Sequence, residues 1–240
     1  MSPDQRQHRG AHPADARLFT LERAAVLRAA AVELCWLLTR GYQIKSALKL
    51  VGDRHSLTER QRLALQRAAC SDQSLAKRRK TCVAVEQLRG ARVVIDGFNL
   101  LITLEAALSG GLVLLCRDGC LRDLSSVHGS YRSVQETERA ITLIGTALAE
   151  LGVAGVQWLL DRPVSNSGRL AAKLRTVAAQ HGWPWQVDLS FNPDAAMQTT
   201  DAIALTSDST VLDGVARWAN LTTYVCTQAQ LELWLVDLRV

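Results

Sequence analysis

Arg92-Val93-Val94-Ile95-Asp96-Gly97-Phe98-Asn99-Leu100-Leu101 is the stretch that decides the fold. Val93, Val94 and Ile95 form a short apolar run of strand length, Asp96 ends it, and after Asn99 the chain enters a helical pattern. The same sentence of strand, polar turn and helix is repeated downstream. Strands are predicted at 93–95, 112–116, 156–160, 186–189, 202–206 and 222–226, with helices at 100–108, 133–151, 169–181 and 209–218. Such alternation predicts an α/β unit over 91–240, with a mostly parallel sheet covered by helices on both faces. In sheets of this kind the site lies in the crevice at the carboxyl ends of the strands.

Upstream the pattern is different. Apolar residues recur at helical spacing, as in Leu27, Ala31, Leu34 and Leu38, and no proline stands between Pro13 and Pro163. Thr58 and Ser71 are placed as hydroxyl caps of helices that follow them. Residues 14–90 are therefore expected as a small helical bundle. The polar stretch 1–13 is expected as a disordered tail without the apolar run of a secretory signal. No segment approaches the ~18 uninterrupted apolar residues of a membrane-spanning helix, so no membrane association and a cytoplasmic protein are expected.

Charge divides the chain. Residues 1–92 hold 18 Lys and Arg against 8 Asp and Glu, and residues 93–240 hold 10 against 15. The halves carry +10 and −5. Of the 28 basic residues 23 are arginine, whose planar fork suits phosphate. The densest run, Lys77-Arg78-Arg79-Lys80, is the candidate nucleic-acid contact. Six cysteines without a CxxC pair are read as reduced thiols, and Cys116, Cys120 and His128 fall short of a zinc signature. Trp183 and Trp185, around Pro184, are the one aromatic pair considered as a stacking surface.

The chemistry is expected at the strand ends. Asp96 closes the first strand with Asn99 three residues on, Asp161 closes 156–160, Asp194 follows 186–189, and Asp208 follows 202–206. Each has an innocent reading as a turn or cap residue. Gathered at one edge, however, these carboxylates repel one another and call for a positive partner. Oxygen ligands from Asp and Asn favour Mg2+ or Mn2+. Such ions activate water and stabilise a departing oxygen of a phosphodiester. Asp96, Asp161, Asp194 and Asp208 are the candidate metal ligands, and Asn99 would orient a phosphate or a metal-bound water. Accessory candidates are Glu136 or Glu138 on the 133–151 helix, Ser165 and Asn166 at a predicted helix start, Ser207 beside Asp208, and His128 as a phosphate contact or general acid.

From about residue 41 to 226 the chain resembles an uncharacterised prokaryotic family, domain of unknown function family 434. The resemblance runs through ALKLVGDRHSLTERQR, VVIDGFNLLITLEAALSGG, RDLSSVHGSYRSVQET, LLDRPVSNSG and TSDSTVLDGV. More distantly it is similar to PIN and NYN nucleases, through Asp96-Gly97-Phe98-Asn99 and Thr206-Ser207-Asp208, with Asp161 matching the middle acid by order. That similarity implies a PIN/NYN-like three-layer fold and a metal-dependent hydrolase, a ribonuclease, with RNA as partner. The family pattern at Glu136-Thr137 favours Glu136, the helical wheel Glu138, and the choice stays open. The further acid that such nucleases carry before Thr-Ser-Asp has Asp194 or Asp201 as its candidate here. The alternative is a PIN-like module that binds RNA or a protein without cutting. A haloacid-dehalogenase-type phosphatase would need an Asp where Phe98 stands, and no GxGxxG supports a dinucleotide site.

Overall fold

The computed structural model describes residues 8–10, 12–125 and 129–240. Among these, helices come first: α1 (Asp15–Leu18), α2 (Leu21–Thr39), α3 (Ile44–Arg54), α4 (Glu59–Ala68) and α5 (Asp72–Thr81). There follow β1 (Arg92–Asp96), α6 (Gly97–Leu108), β2 (Leu112–Leu115), β3 (Leu121–Asp123), α7 (Thr137–Glu150), β4 (Gly155–Asp161) and α8 (Ser167–His181). The chain ends with β5 (Trp185–Ser190), α9 (Pro193–Gln198), β6 (Ile203–Leu205), α10 (Ser209–Leu212), α11 (Leu221–Gln228) and β7 (Trp234–Asp237).

Hydroxyl caps start three of the early helices. Thr20 Oγ1 accepts from Arg23 N, Thr58 forms a reciprocal capping box with Gln61, and Ser71 Oγ accepts from Ser74 N. Leu27, Ala31 and Leu34 on α2 are fully buried against Ala47, Val51, Ala64 and Leu65 of α3 and α4.

A parallel sheet in the order β5-β4-β1-β6 carries the second half. Alternation along its strands sends Val93, Ile95, Trp158, Leu160, Ile203 and Leu205 into one core with α6, α7 and α8. Val94, Leu159 and Ala204 face the other way, onto Met197, Val211, Leu212 and Trp218. A second sheet, β3-β2-β7, pairs β2 antiparallel with β3 and parallel with β7. Its Leu112, Leu114, Val236 and Leu238 share the core of the helical bundle. The bundle therefore packs on a sheet drawn from the α/β half.

Three expectations are corrected. Residues 222–226 are helical within α11, because Asn220 Oδ1 caps Thr223 N and Leu221, Val225 and Cys226 fall on one buried face. The helix expected over 209–218 stops at Leu212, and Ala204 N then takes the carbonyl of Arg217 beside β6. Strands β3 and β7 are additional. Trp183 and Trp185 stack on each other at 4.9 Å, Trp183 stacks on His181 and Trp185 tilts against Trp158. They stand at the amino end of β5, the opposite edge from the acids. Among the described residues no helix is long and apolar enough to cross a membrane.

Candidate functional site

Strand β1 has β4 on one side and β6 on the other: the chain steps outward from β1 to β4 and β5, then crosses back to place β6 on the far side of β1. This is the switch point at which a crevice opens beyond the carboxyl ends. Asp96 is the last residue of β1 and Asp161 the last of β4, paired in register with Ser190 of β5. Thr206, Ser207 and Asp208 follow β6, and Asp194 lies in the first turn of α9 just past β5.

Asp96 is 8% exposed. Its Oδ2 accepts from Thr206 Oγ1 at 2.9 Å, and its Oδ1 from Asn99 N at 3.4 Å. Burial pushes this carboxyl up to about 7, with the charges of Asp208 and Asp194 adding to the rise and the bonds from Thr206 and Asn99 opposing it. Asp194 is raised by desolvation and then by Asp208 and Asp161, and Asp161 is raised by desolvation. The charges of Asp208 and Asp194 thus act on Asp96, and those of Asp208 and Asp161 on Asp194. Asp208 also serves the structural role: its Oδ1 accepts from Thr210 N at 2.8 Å and Val211 N at 3.1 Å, capping α10. Its second oxygen makes no hydrogen bond to a described residue.

Asn99 has a role the sequence does not reveal. Its Oδ1 accepts from Ser207 N and Ser207 Oγ, both at 2.8 Å, so it ties the β1–α6 turn to the Thr206–Asp208 loop. The amide nitrogen remains for a ligand. Gly97 is required by a close approach: a methyl there would fall 3.0 Å from the carbonyl oxygen of Leu159 and overlap the Leu160 side chain. The loop is held from behind by Arg122, whose Nε donates to the Ser207 carbonyl at 2.6 Å. Arg122 is buried and forms a bidentate pair with Asp118 at 3.0 and 2.6 Å.

Other expected residues lie elsewhere. Arg78 is 3% exposed and turns inward, pairing with Asp213 and Asp118 at 2.7 Å each, so it is not a surface contact for nucleic acid. Lys77 donates to the Asp213 carbonyl, while Arg79 and Lys80 are exposed. Several more of the arginines of the basic half are tied up within the protein: Arg60 pairs with buried Asp15, Arg62 pairs with Asp53, and Arg67 donates to the carbonyls of Asp123 and Ser125. Glu136 is paired with His8 at 2.6 Å, and Glu138 lies 3.7 Å from Lys173. Ser165 is tied by its backbone to Gly129 and Tyr131, and Asn166 Nδ2 donates to the Tyr131 carbonyl at 2.9 Å. His128 lies outside the described residues. Among the described residues no three His, Cys, Asp or Glu side chains are gathered closely enough to hold a metal ion.

Two features were not foreseen. Phe191 is 71% exposed with the Arg162 guanidinium 4.7 Å over its ring, one residue beyond Asp161 in sequence and directly after β5. Glu105, fully buried on α6, accepts from Arg9 at 2.8 Å, Tyr131 at 2.5 Å and Thr137 at 2.6 Å. Its one sequence signal is an acid inside the apolar run LLITLEAAL.

Residues 85–224 match the model of the family described as Domain of unknown function (DUF5616), and residues 26–81 match Protein of unknown function (DUF434). The likeness to family 434, expected over 41–226, therefore holds for the helical part, and the α/β part matches a different family. The chain is 32% identical over 177 residues to the uncharacterized protein MJ0935 of Methanocaldococcus jannaschii, covering 74% of this chain and 84% of that protein. No solved structure matches.

Proposed function

Since the chain belongs to the family described as Domain of unknown function (DUF5616), we propose a function from the site itself: a PIN/NYN-like, divalent-metal-dependent hydrolase of phosphodiester bonds in RNA. The observation that carries this reading is the placement of Asp96, Asp194 and Asp208 at the carboxyl ends of neighbouring strands, with Asp96 buried and held by Thr206, where burial and mutual charge raise Asp96 and Asp194 from their ordinary values. A cation relieves that repulsion. Oxygen-only donors suit Mg2+ or Mn2+, and these ions keep several waters and take one or two carboxylates plus substrate phosphates. A preformed three-ligand cluster is not needed for that mode.

Asp96 and Asp208 would hold the ion, with Asp194 and Asp161 at the outer rim. When bound, such an ion supplies an activated water and neutralises charge on the phosphate. The protein's own part is positional. Thr206 Oγ1 fixes Asp96 Oδ2, Asn99 Oδ1 fixes the Ser207 backbone, and the Asn99 amide nitrogen is left to donate to a phosphate oxygen. Phe191 and Arg162 offer a base a stacking face beside the acids. A cytoplasmic site of action is part of this reading, supported by six cysteines that are all free thiols.

The test is hydrolysis of a short single-stranded RNA, present with Mn2+ and absent with excess chelator. No turnover with any divalent ion defeats the reading. A non-catalytic binding module is the second reading, and the exposed Phe191–Arg162 face, which can stack a base without any ion, favours it. Phe191→Ala is expected to weaken RNA binding by about 1–3 kcal/mol, the worth of one base–aromatic stack, with thermal stability unchanged. Equal affinity in a fluorescence anisotropy titration would remove Phe191 from the site.

A further inference from the structure

Beside the acidic crevice lies a cleft of about 520 Å³ lined by Tyr131, Arg132, Ser133, Asn166 and Arg169. Its size is in the range that holds a small ligand. Two guanidinium side chains line it from different segments, Arg132 from the 129–133 loop and Arg169 from the first turn of α8. Its walls are fixed: Tyr131 N donates to the Ser165 carbonyl at 3.0 Å, Ser165 N to the Gly129 carbonyl at 2.9 Å, and Asn166 Nδ2 to the Tyr131 carbonyl.

Of the acids nearby, buried Glu105 is paired with Arg9 at 2.8 Å, and Glu136 faces His8 at 2.6 Å. Arg169 donates to no acceptor among the described residues, and it is exposed. The cleft also adjoins the acids. The Tyr131 ring packs on Phe98 at 5.2 Å, two residues after Asp96, and Asn166 follows Asp161 by five.

We propose that this cleft is a phosphate subsite that grips a backbone phosphate of single-stranded RNA flanking the phosphodiester held at Asp96 and Asp208. The proposal rests on the nuclease reading for its register, while the grip itself is measurable without cutting. Arg132 and Arg169 supply charge-assisted hydrogen bonds, Ser133 Oγ a neutral one, and the start of α8 adds amides oriented toward an anion.

The experiment is anisotropy of a labelled single-stranded RNA with the full chain in excess chelator. Arg132→Gln with Arg169→Gln is expected to weaken binding about 10- to 100-fold, one or two charge-assisted bonds being lost. The slope of log affinity against log salt should fall by about one to two. Arg89→Gln with Arg92→Gln makes the same charge change at the amino edge of the sheet and is expected to cost less than about threefold, as a purely nonspecific term. Arg169→Lys should recover part of the loss.

Binding by the Arg132/Arg169 double variant within twofold of the parent, or a loss no larger than the Arg89/Arg92 control, overturns the subsite. Inorganic phosphate or a mononucleotide binding as tightly as the RNA overturns its assignment to a polynucleotide. A grip that depends on the two arginines, in a protein that no divalent ion makes active, supports the subsite and defeats the nuclease reading alone.

Discussion

Asp96→Asn is expected to leave a folded protein that no longer hydrolyses RNA. The change keeps the shape of the side chain and an acceptor oxygen for Thr206 Oγ1, but it removes the negative charge that would hold the cation. Several kcal/mol of transition-state stabilisation depend on such an ion, which corresponds to a loss on the order of 10³-fold in rate. Stability in chelator should move the other way. The Asp96 carboxyl stands at about 7 in the folded protein against 3.8 ordinarily, chiefly through burial. The folded state therefore binds more protons between those values, and stability falls as pH rises from about 4 to about 7. Asparagine removes that penalty, so the variant should be more stable than the parent at pH 8, by on the order of a few kcal/mol at most, and no more stable at pH 3. Full activity, or a variant less stable than the parent at pH 8, contradicts the role given to Asp96.

Asp118→Ala is expected to be strongly destabilising. Asp118 has 1% side-chain exposure and receives Arg78 from α5 and Arg122 from β3, at distances of 2.6 to 3.0 Å. Arg78 also reaches Asp213 and the Ser209 carbonyl, and Arg122 the Ser207 and Arg67 carbonyls. One buried carboxylate thus joins the bundle, the small sheet and the loop that presents Asp208. Removing it leaves two buried guanidinium groups short of a partner, a cost of about 3–5 kcal/mol. Arg122 would lose its alignment on Ser207 as well. Burial alone would raise Asp118, but Arg122 and Arg78 outweigh it and hold the carboxyl down to about 2. Its contribution is therefore complete above about pH 4 and is lost as pH falls toward 2. Urea unfolding of parent and variant should differ most at neutral pH and converge in acid. A difference under about 1 kcal/mol at pH 7 would show that the network is not structural.

How far the sequence is legible depends on the range of the interaction. Asp96, Asp161 and Asp208 could be placed at strand ends because an apolar run and the turn that closes it lie within a few residues. The capping of Thr58 and Ser71 is equally local. By contrast, the run Lys77-Arg78-Arg79-Lys80 looks uniform, yet Arg78 shares a buried face with Leu75 and pairs with acids 40 and 135 residues away. No periodicity carries that information. Residues 222–226 are β-branched and apolar, which fits a strand or a buried helix, and Asn220 as the cap was the signal that separates them. The Phe191–Arg162 face and the Arg132–Arg169 cleft arise where separate loops meet. Only the packing of α6, α8 and β5 around the switch point brings them beside the acids.

The most direct measurement is anomalous diffraction at the manganese edge from crystals grown or soaked with Mn2+. A peak within bonding distance of the Asp96 and Asp208 carboxylates, absent from the Asp96→Asn protein, is the predicted result. No peak there at a concentration that supports RNA cleavage, or a peak bound by other side chains, would contradict the claim that these strand ends form a cation site.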